Sequence, residues 1–310
     1  FILPGGAAEA FRTELSEDVA ASAPESSSQA PSSSSKPAAS SSSKPVSSSA
    51  SSGTVSETVT GTVREMSISN SGIQYENMWV KNTNQYHDID IAAELAKQPA
   101  VKMKKDGTKQ ILIYHTHTTE AFAGSSRTQD NSQNVVAVGE EIKKQLEAAG
   151  FGVVHDTTCH DYPSYNGSYD RSGETIQRNL EKYPDIQVTL DVHRDAMGTQ
   201  DGMRIKPTAL INGKKAAQVM IISGCDDDGT LGFPNWEYNL RLGVRIQKSL
   251  SDLYPGLARP LSFCPKKYNE HMTKGSLLVE FGTEVNTLEE VKYSGQLFGK
   301  ALAETLEQLT

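Results

Sequence analysis

The sequence predicts an α/β fold: a mostly parallel central sheet with helices on both faces, preceded by a disordered Ser/Pro-rich tether and a small accessory unit. Three observations predict it. From residue 108 to the end, apolar strand-like runs alternate with runs of helical periodicity. Residues 20–54 are Ser, Ala and Pro with hardly a large apolar side chain, too little to offset the entropy of ordering. Residues 55–107 alternate in short strand-like pieces around a turn. The domains expected are therefore 1–54, a juxtamembrane remnant and linker; 55–107, a small accessory β/α unit; and 108–310, the main α/β domain.

Each element has its own signal. "TVSETVTGTVREMSIS" and "IQYENMWVKN" read as short strands with "NSG" as the turn between them, and "DIDIAAELAKQ" reads as a short helix. Ile111 to Tyr114 form a buried strand. In "NVVAVGEEIKKQLEAAGF", Val135, Val138, Ile142 and Leu146 fall at helical spacing and Gly150 stops the run. "GVVHD" is a strand. "SGETIQRNLEKYP" is a helix capped by Ser172 and closed before Pro184. "IQVTLDVH", "MRIKPTALI" and "AQVMIISG" are strands, followed by the helix "NWEYNLRLGVRIQKSLSDLYPG". "SLLVEFG" is the last strand and "NTLEEVKYSGQLFGKALAETLEQL" the terminal helix. This β–α alternation favours parallel strands covered on both sides.

The net charge of −8 over 310 residues, without a basic stripe carrying aromatics, argues against nucleic acid as a partner. Cys159, Cys225 and Cys264 are far apart and lack CxxC spacing, so they read as small buried hydrophobes. There is no GxGxxG, GxxxxGK[ST] or HExxH, which sets aside dinucleotide, nucleoside triphosphate and the commonest zinc protease motifs. No apolar run is long enough to span a bilayer. The opening "FILPGG" reads as the trailing edge of a membrane anchor or signal segment, or as a chance apolar start.

The chemistry gathers at strand ends. "ILIYHTHTTEAF" runs from apolar strand into His115, Thr116, His117, Thr118, Thr119 and Glu120, placing two of seven histidines together. Alternation puts His115 and His117 on one face, and ligands in open α/β sheets bind beyond the carboxyl ends of strands. Metal ligation and ordinary hydrogen-bonded strand ends both account for this stretch. "VTLDVHRDA" presents His193, Arg194 and Asp195 at a second strand end, and "SLLVEFGTEVN" presents Glu280 at a third. Three such ends on one sheet edge supply imidazoles for a metal and a carboxylate for proton transfer. Asp130, just before the helix after the first strand, returns to the same edge in a β-loop-α unit and is the candidate third ligand. A helix-cap aspartate is the competing account. Glu140 and Glu141 read as a solvated helix face.

"IYHTHTTEAF", "NVVAVGEEIKKQLEAAG", "YPSYNGSYDRS", "LDVHRDA" and "LLVEFGTEVNTLEEV" together resemble the stage II sporulation protein P family of spore-forming Firmicutes. That family is similar in turn to zinc-dependent N-acetylmuramoyl-L-alanine amidases of the amidase-3 type. The resemblance covers about residues 60 to 310. It implies an amidase-3-like fold and a membrane-anchored peptidoglycan hydrolase of forespore engulfment, with cleavage within stem-peptide cross-links as a second associated activity. The implied location is the extracytoplasmic face of the septal and engulfing membrane, with an anchor N-terminal to this chain. The implied partners are a lytic transglycosylase, stage II sporulation protein D, and a membrane protein, stage II sporulation protein M. Laid on this sequence, the amidase-3 pattern places Zn2+ on His117, Asp130 and His193, with Asp130 standing where that pattern has Glu, and the catalytic carboxylate at Glu280.

On this reading His115 is a neighbour of the metal shell or faces substrate, though both histidines as ligands stays open. Glu120 orients an imidazole. Arg194 stabilises an oxyanion, binds a stem-peptide carboxylate, or simply pairs with an acid. Tyr165, Asn166, Tyr169 and Arg171 form a cleft rim or a plain surface turn. A zinc peptidase or deacylase acting on another amide, and a non-catalytic wall-binding scaffold, are the competing functions.

Overall fold

The computed structural model describes residues 52–68 and 70–310. The expected tether therefore falls outside the described residues except for its last three. Two of these, in β1 (Gly53–Thr54), form a strand against Leu210 and Ala209 rather than a free linker.

The chain continues through β2 (Thr58–Thr60), β3 (Val63–Met66), β4 (Ile73–Tyr75), β5 (Met78–Asn82) and α1 (Ile91–Ala96). It then alternates: β6 (Lys109–Tyr114), α2 (Val135–Ala148), β7 (Gly152–His155), α3 (Ser168–Lys182) and β8 (Val188–Asp195). β9 (Arg204–Ile211), β10 (Lys214–Ala217) and β11 (Val219–Gly224) precede α4 (Trp236–Leu253). β12 (Leu261–Cys264), a 3-10 turn at Glu270–Met272, β13 (Ser276–Thr283) and α5 (Leu288–Glu307) complete it.

The central sheet has eight strands in the order β4-β5-β12-β11-β13-β8-β6-β7. β13, β8, β6 and β7 are parallel to one another. β5, β12 and β11 are also mutually parallel but run antiparallel to β13. Alternation along β6 shows how both faces are covered. Ile111 and Ile113 enter the large core with Ile142, Leu146, Val244 and Phe298 from α2, α4 and α5. Leu112 and Tyr114 enter a smaller core with Ile176 of α3. α5 starts with a capping box between Thr287 and Glu290.

Three expectations need correction. Residues 55–107 do not stand apart: β5 pairs with β12 in the central sheet, while β3 pairs with β9 in a second sheet. β9, read only as a strand within the alternation, lies outside the central sheet and joins β1, β3 and β10. α3 begins a turn early, at Ser168. Gly167 takes φ 79°, a left-handed conformation open to glycine, and turns the chain into the helix there. Ser172 is thus not a cap but a buried residue within α3, bonded to Thr116 and Asn269.

Candidate metal centre

β6, β8 and β13 are parallel, so their carboxyl ends share one edge. Glu280 of β13 lies opposite His193 of β8 in register, which puts both side chains on the same face. Beyond Tyr114 the chain leaves the sheet and turns. The N–H of Glu120 donates to the carbonyl of His117 at 3.0 Å, bringing both side chains back over the edge.

His117, Glu120 and His193 converge there, each with one donor atom within 4.8 Å of the other two. Nδ1 of His117 stands 3.4 Å from Glu120 Oε1, and Nδ1 of His193 stands 3.4 Å from Oε2. Ligand atoms around a tetrahedral zinc, at about 2.0–2.1 Å from it, stand roughly 3.3 Å apart. All three side chains are buried. Two imidazoles and one carboxylate form a known catalytic zinc set, and so the residues fit that metal.

The electrostatics point the same way. Burial opposes charge on His193, but Asp191 and then Glu120 outweigh it and raise its pKa well above the usual histidine range. Burial likewise opposes ionisation of Glu120, yet His117 and His193 hold its carboxyl well below the usual value. Two carboxylates therefore favour positive charge at this spot, as a proton or as a metal ion. Asp191 Oδ1 lies 2.9 Å from Nε2 of His193 and accepts the Thr116 N–H at 2.8 Å, while Oδ2 accepts the Thr116 hydroxyl at 2.6 Å. Asp191 was not among the residues singled out from the sequence. Its signal was an acid inside an apolar strand, two residues before His193 and so on the same face.

Glu280 is partly buried, and its Oε2 is shielded from solvent without a hydrogen-bond partner. Burial pushes its carboxyl well above the usual range; Asp195 adds to this and His193 opposes it.

The structure parts company with the sequence reading at five positions. Asp130 does not join the cluster. It is exposed, and its carboxylate accepts the N–H and hydroxyl of Ser132 in a local turn. Glu120 takes the third place. His115 does not share a face with His117, because strand alternation ends at Tyr114. Its ring is fully buried under α2, with Nδ1 3.0 Å from the carbonyl of Val192 and Nε2 2.9 Å from Nε2 of His155. Burial, with His155 beside it, pushes its pKa down to about 3, so the neutral ring donates from Nδ1 and accepts at Nε2. Gly139 makes room for this pair: a Cβ there would come within 2.7 Å of His155 Nε2 and 2.9 Å of His115 Cε1.

Arg194 is turned away from solvent and gives its donors to backbone carbonyls, Nε to Ala121 at 2.8 Å and Nη2 to Ser126 at 3.0 Å. Its own N–H donates to Glu120 Oε2 at 3.1 Å. It fastens the loop that carries Glu120. Arg171 does the same for the loop before α3, donating to the carbonyls of His160, Asn166 and Ser164. Tyr165 stands at the His117/Glu120/His193 cluster, its ring stacked on His117 at 4.4 Å between centroids. Arg127 covers the Tyr165 ring at 4.6 Å, and Tyr169 meets His117 edge-on.

A mixed α/β domain with a buried His/Glu/His set at the carboxyl edge of its sheet is the class of protein this geometry defines. The family model described as "Stage II sporulation protein P (SpoIIP)" matches residues 9–303, and the chain belongs to that family. It is 28% identical over 217 residues to stage II sporulation protein P of Bacillus subtilis (strain 168), covering 64% of this chain. The match spans about half, 51%, of that relative's length. Among solved structures it is similar to the N-acetylmuramoyl-L-alanine amidase AmiC2 of Nostoc punctiforme, at 10% identity and a TM-score of 0.40 over 66% of this chain and 97% of that one. It is also similar to the CwlD amidase from Clostridioides difficile, solved in complex with the GerS lipoprotein, at 10% identity and a TM-score of 0.40, covering 65% and 98%.

Proposed function

We propose that this chain is a zinc-dependent peptidoglycan hydrolase of sporulation that cleaves the amide between N-acetylmuramic acid and L-alanine. The observation that carries the reading is the convergence of His117, Glu120 and His193 beside Glu280, whose Oε2 is buried and unpaired. Family membership supports the role in sporulation; the reading extends it to septal wall degradation and engulfment, cleavage of stem-peptide cross-links as an accompanying activity, and stage II sporulation proteins D and M as partners. The reading also includes an anchor in the membrane and action on its extracytoplasmic face. No helix among the described residues is long and apolar enough to cross a membrane.

His117, Glu120 and His193 would hold the zinc, with Asp191 orienting His193 from its other ring nitrogen. When bound, zinc supplies a Lewis acid that polarises the scissile carbonyl and acidifies water. Glu280 takes the proton from the attacking water and returns it to the departing amine of L-alanine. Burial raises this carboxyl above its usual range, which helps it hold the proton between the two transfers. Tyr165, stacked on His117, forms one wall of the site. Arg194 and Arg171 contribute by fixing loops.

The test is product identity. Purified peptidoglycan incubated with the zinc-loaded protein should release stem peptides with a free L-alanine amine, and prior chelation should stop the release. Fragments cut only within cross-links would replace the amidase by a zinc peptidase. No fragments from either bond, with intact binding to the wall, would leave a scaffold.

A further inference from the structure

The central sheet reverses direction between β11 and β13, so its strands send carboxyl ends to two opposite edges. One edge carries the cluster described above. At the other, β5, β12 and β11 end together, and a second set of donors meets there: His87 after β5, and Cys225 and Asp227 after β11. One donor atom of each lies within 4.8 Å of the other two, and Nδ1 of His87 stands 3.2 Å from Asp227 Oδ1.

We propose that His87, Cys225 and Asp227 form a second metal site, selective for zinc-type cations and separate from the first. It stands on different residues, so it holds or fails independently of the hydrolase reading.

The donors are held in place before any ion arrives. Asp227 is 8% exposed; its Oδ2 accepts the Gln85 N–H at 2.7 Å and its Oδ1 accepts the Tyr86 N–H at 3.0 Å. These bonds fasten the 83–87 loop to the end of β11. Asn82 donates to the carbonyl of His87 at 2.8 Å, and the His87 ring packs edge-on against Trp236 at 4.8 Å. Cys225 is fully buried.

Cys225 is enclosed between the ends of β11 and the 83–87 loop, and a divalent cation would supply the positive charge that a buried thiolate beside Asp227 needs. Binding would form the metal–sulfur bond and release the thiol proton to solvent. Sulfur, imidazole nitrogen and carboxylate oxygen suit zinc and its borderline relatives; calcium and magnesium take oxygen sets. The His87 side chain is 37% exposed, which gives the ion a path in. Its effect would be to clamp the exits of β5 and β11.

Cobalt substitution separates the two sites, since the first contains no sulfur. The full chain loaded with Co²⁺ should bind two equivalents and show a thiolate-to-cobalt charge-transfer band in the near ultraviolet. Cys225→Ala should lose the band and one equivalent while retaining the other. His87→Gln, at a half-exposed position safe for folding, should weaken the band-forming site at least about tenfold. It alone decides should Cys225→Ala fail to fold. No sulfur band in the wild type overturns the proposal, as does a band undiminished in the variants, which would place it on Cys159 or Cys264. One equivalent with the band present supports this site and removes the metal from the first.

Discussion

Asp191 and His193 sit two residues apart on β8, on one face of the sheet, with Oδ1 of the acid 2.9 Å from Nε2 of the ring. The ring's other nitrogen faces Glu120. Asp191 is itself fixed by two bonds from Thr116, the residue next to His117. One buried acid thus spans both strand ends that supply the imidazoles.

Removing its charge while keeping its size isolates that role. Asp191→Asn should remain folded and lose zinc affinity by about 10–100-fold, the usual cost of removing a partner of a ligating histidine. Competition with a metal indicator measures it. Unchanged affinity would show that His193 needs no such support.

The third ligand can be settled by metal content. Glu120→Ala should lose most of the zinc bound at the His117/His193 site. Asp130→Ala should keep it, since that carboxylate is engaged with Ser132 at the surface. The opposite pattern would return the ligand to Asp130.

This contrast shows what the sequence could carry. His193 and Glu280 were legible because each breaks an apolar strand at its carboxyl end, and strand period and direction are written in the residues themselves. The third ligand depended on the path of residues 116–134, which no period encodes. The signal for Glu120 was its three-residue spacing from His117, compatible with one tight turn. His115 was misplaced by carrying the alternation on to His117, beyond the strand's end at Tyr114. Arg194 and Arg171 looked like substrate contacts because an exposed guanidinium and one spent on backbone carbonyls have the same letter. The second sheet was not legible because two of β9's partners, β1 and β3, lie far away in sequence.

Gly139 tests the packing under the first strand end. Gly139→Ala places a Cβ against the His115–His155 pair, both rings held by hydrogen bonds. Overpacking of this kind costs about 1–3 kcal/mol, so chemical denaturation should show a loss in that range. No loss would mean that the two rings separate freely.

Glu270 gives a pH signature. It is 2% exposed, and burial raises its carboxyl well above the usual 4.5; N–H groups of Gly224 and Leu278 pull it back, and Asp191 raises it further. The folded state therefore keeps a proton that the unfolded state gives up. This stability is fully present below about pH 4.5 and is lost as pH rises through the folded value, at most about 1.4 kcal/mol per unit. Glu270→Gln should remove that slope, so its advantage over wild type should grow from pH 5 to pH 8. Parallel stability curves would show that Glu270 ionises normally.

The central claim is that Glu280 moves the proton at a zinc held by His117, Glu120 and His193. Its most direct test is stem-peptide release from purified glycan strands by wild type and Glu280→Gln, both verified as zinc-loaded. Glutamine keeps the volume of Glu280 and cannot accept a proton. The account predicts a folded, zinc-loaded variant that binds peptidoglycan and releases stem peptides roughly 10²–10⁴-fold more slowly. Release at near the wild-type rate would contradict it and assign the proton to another group.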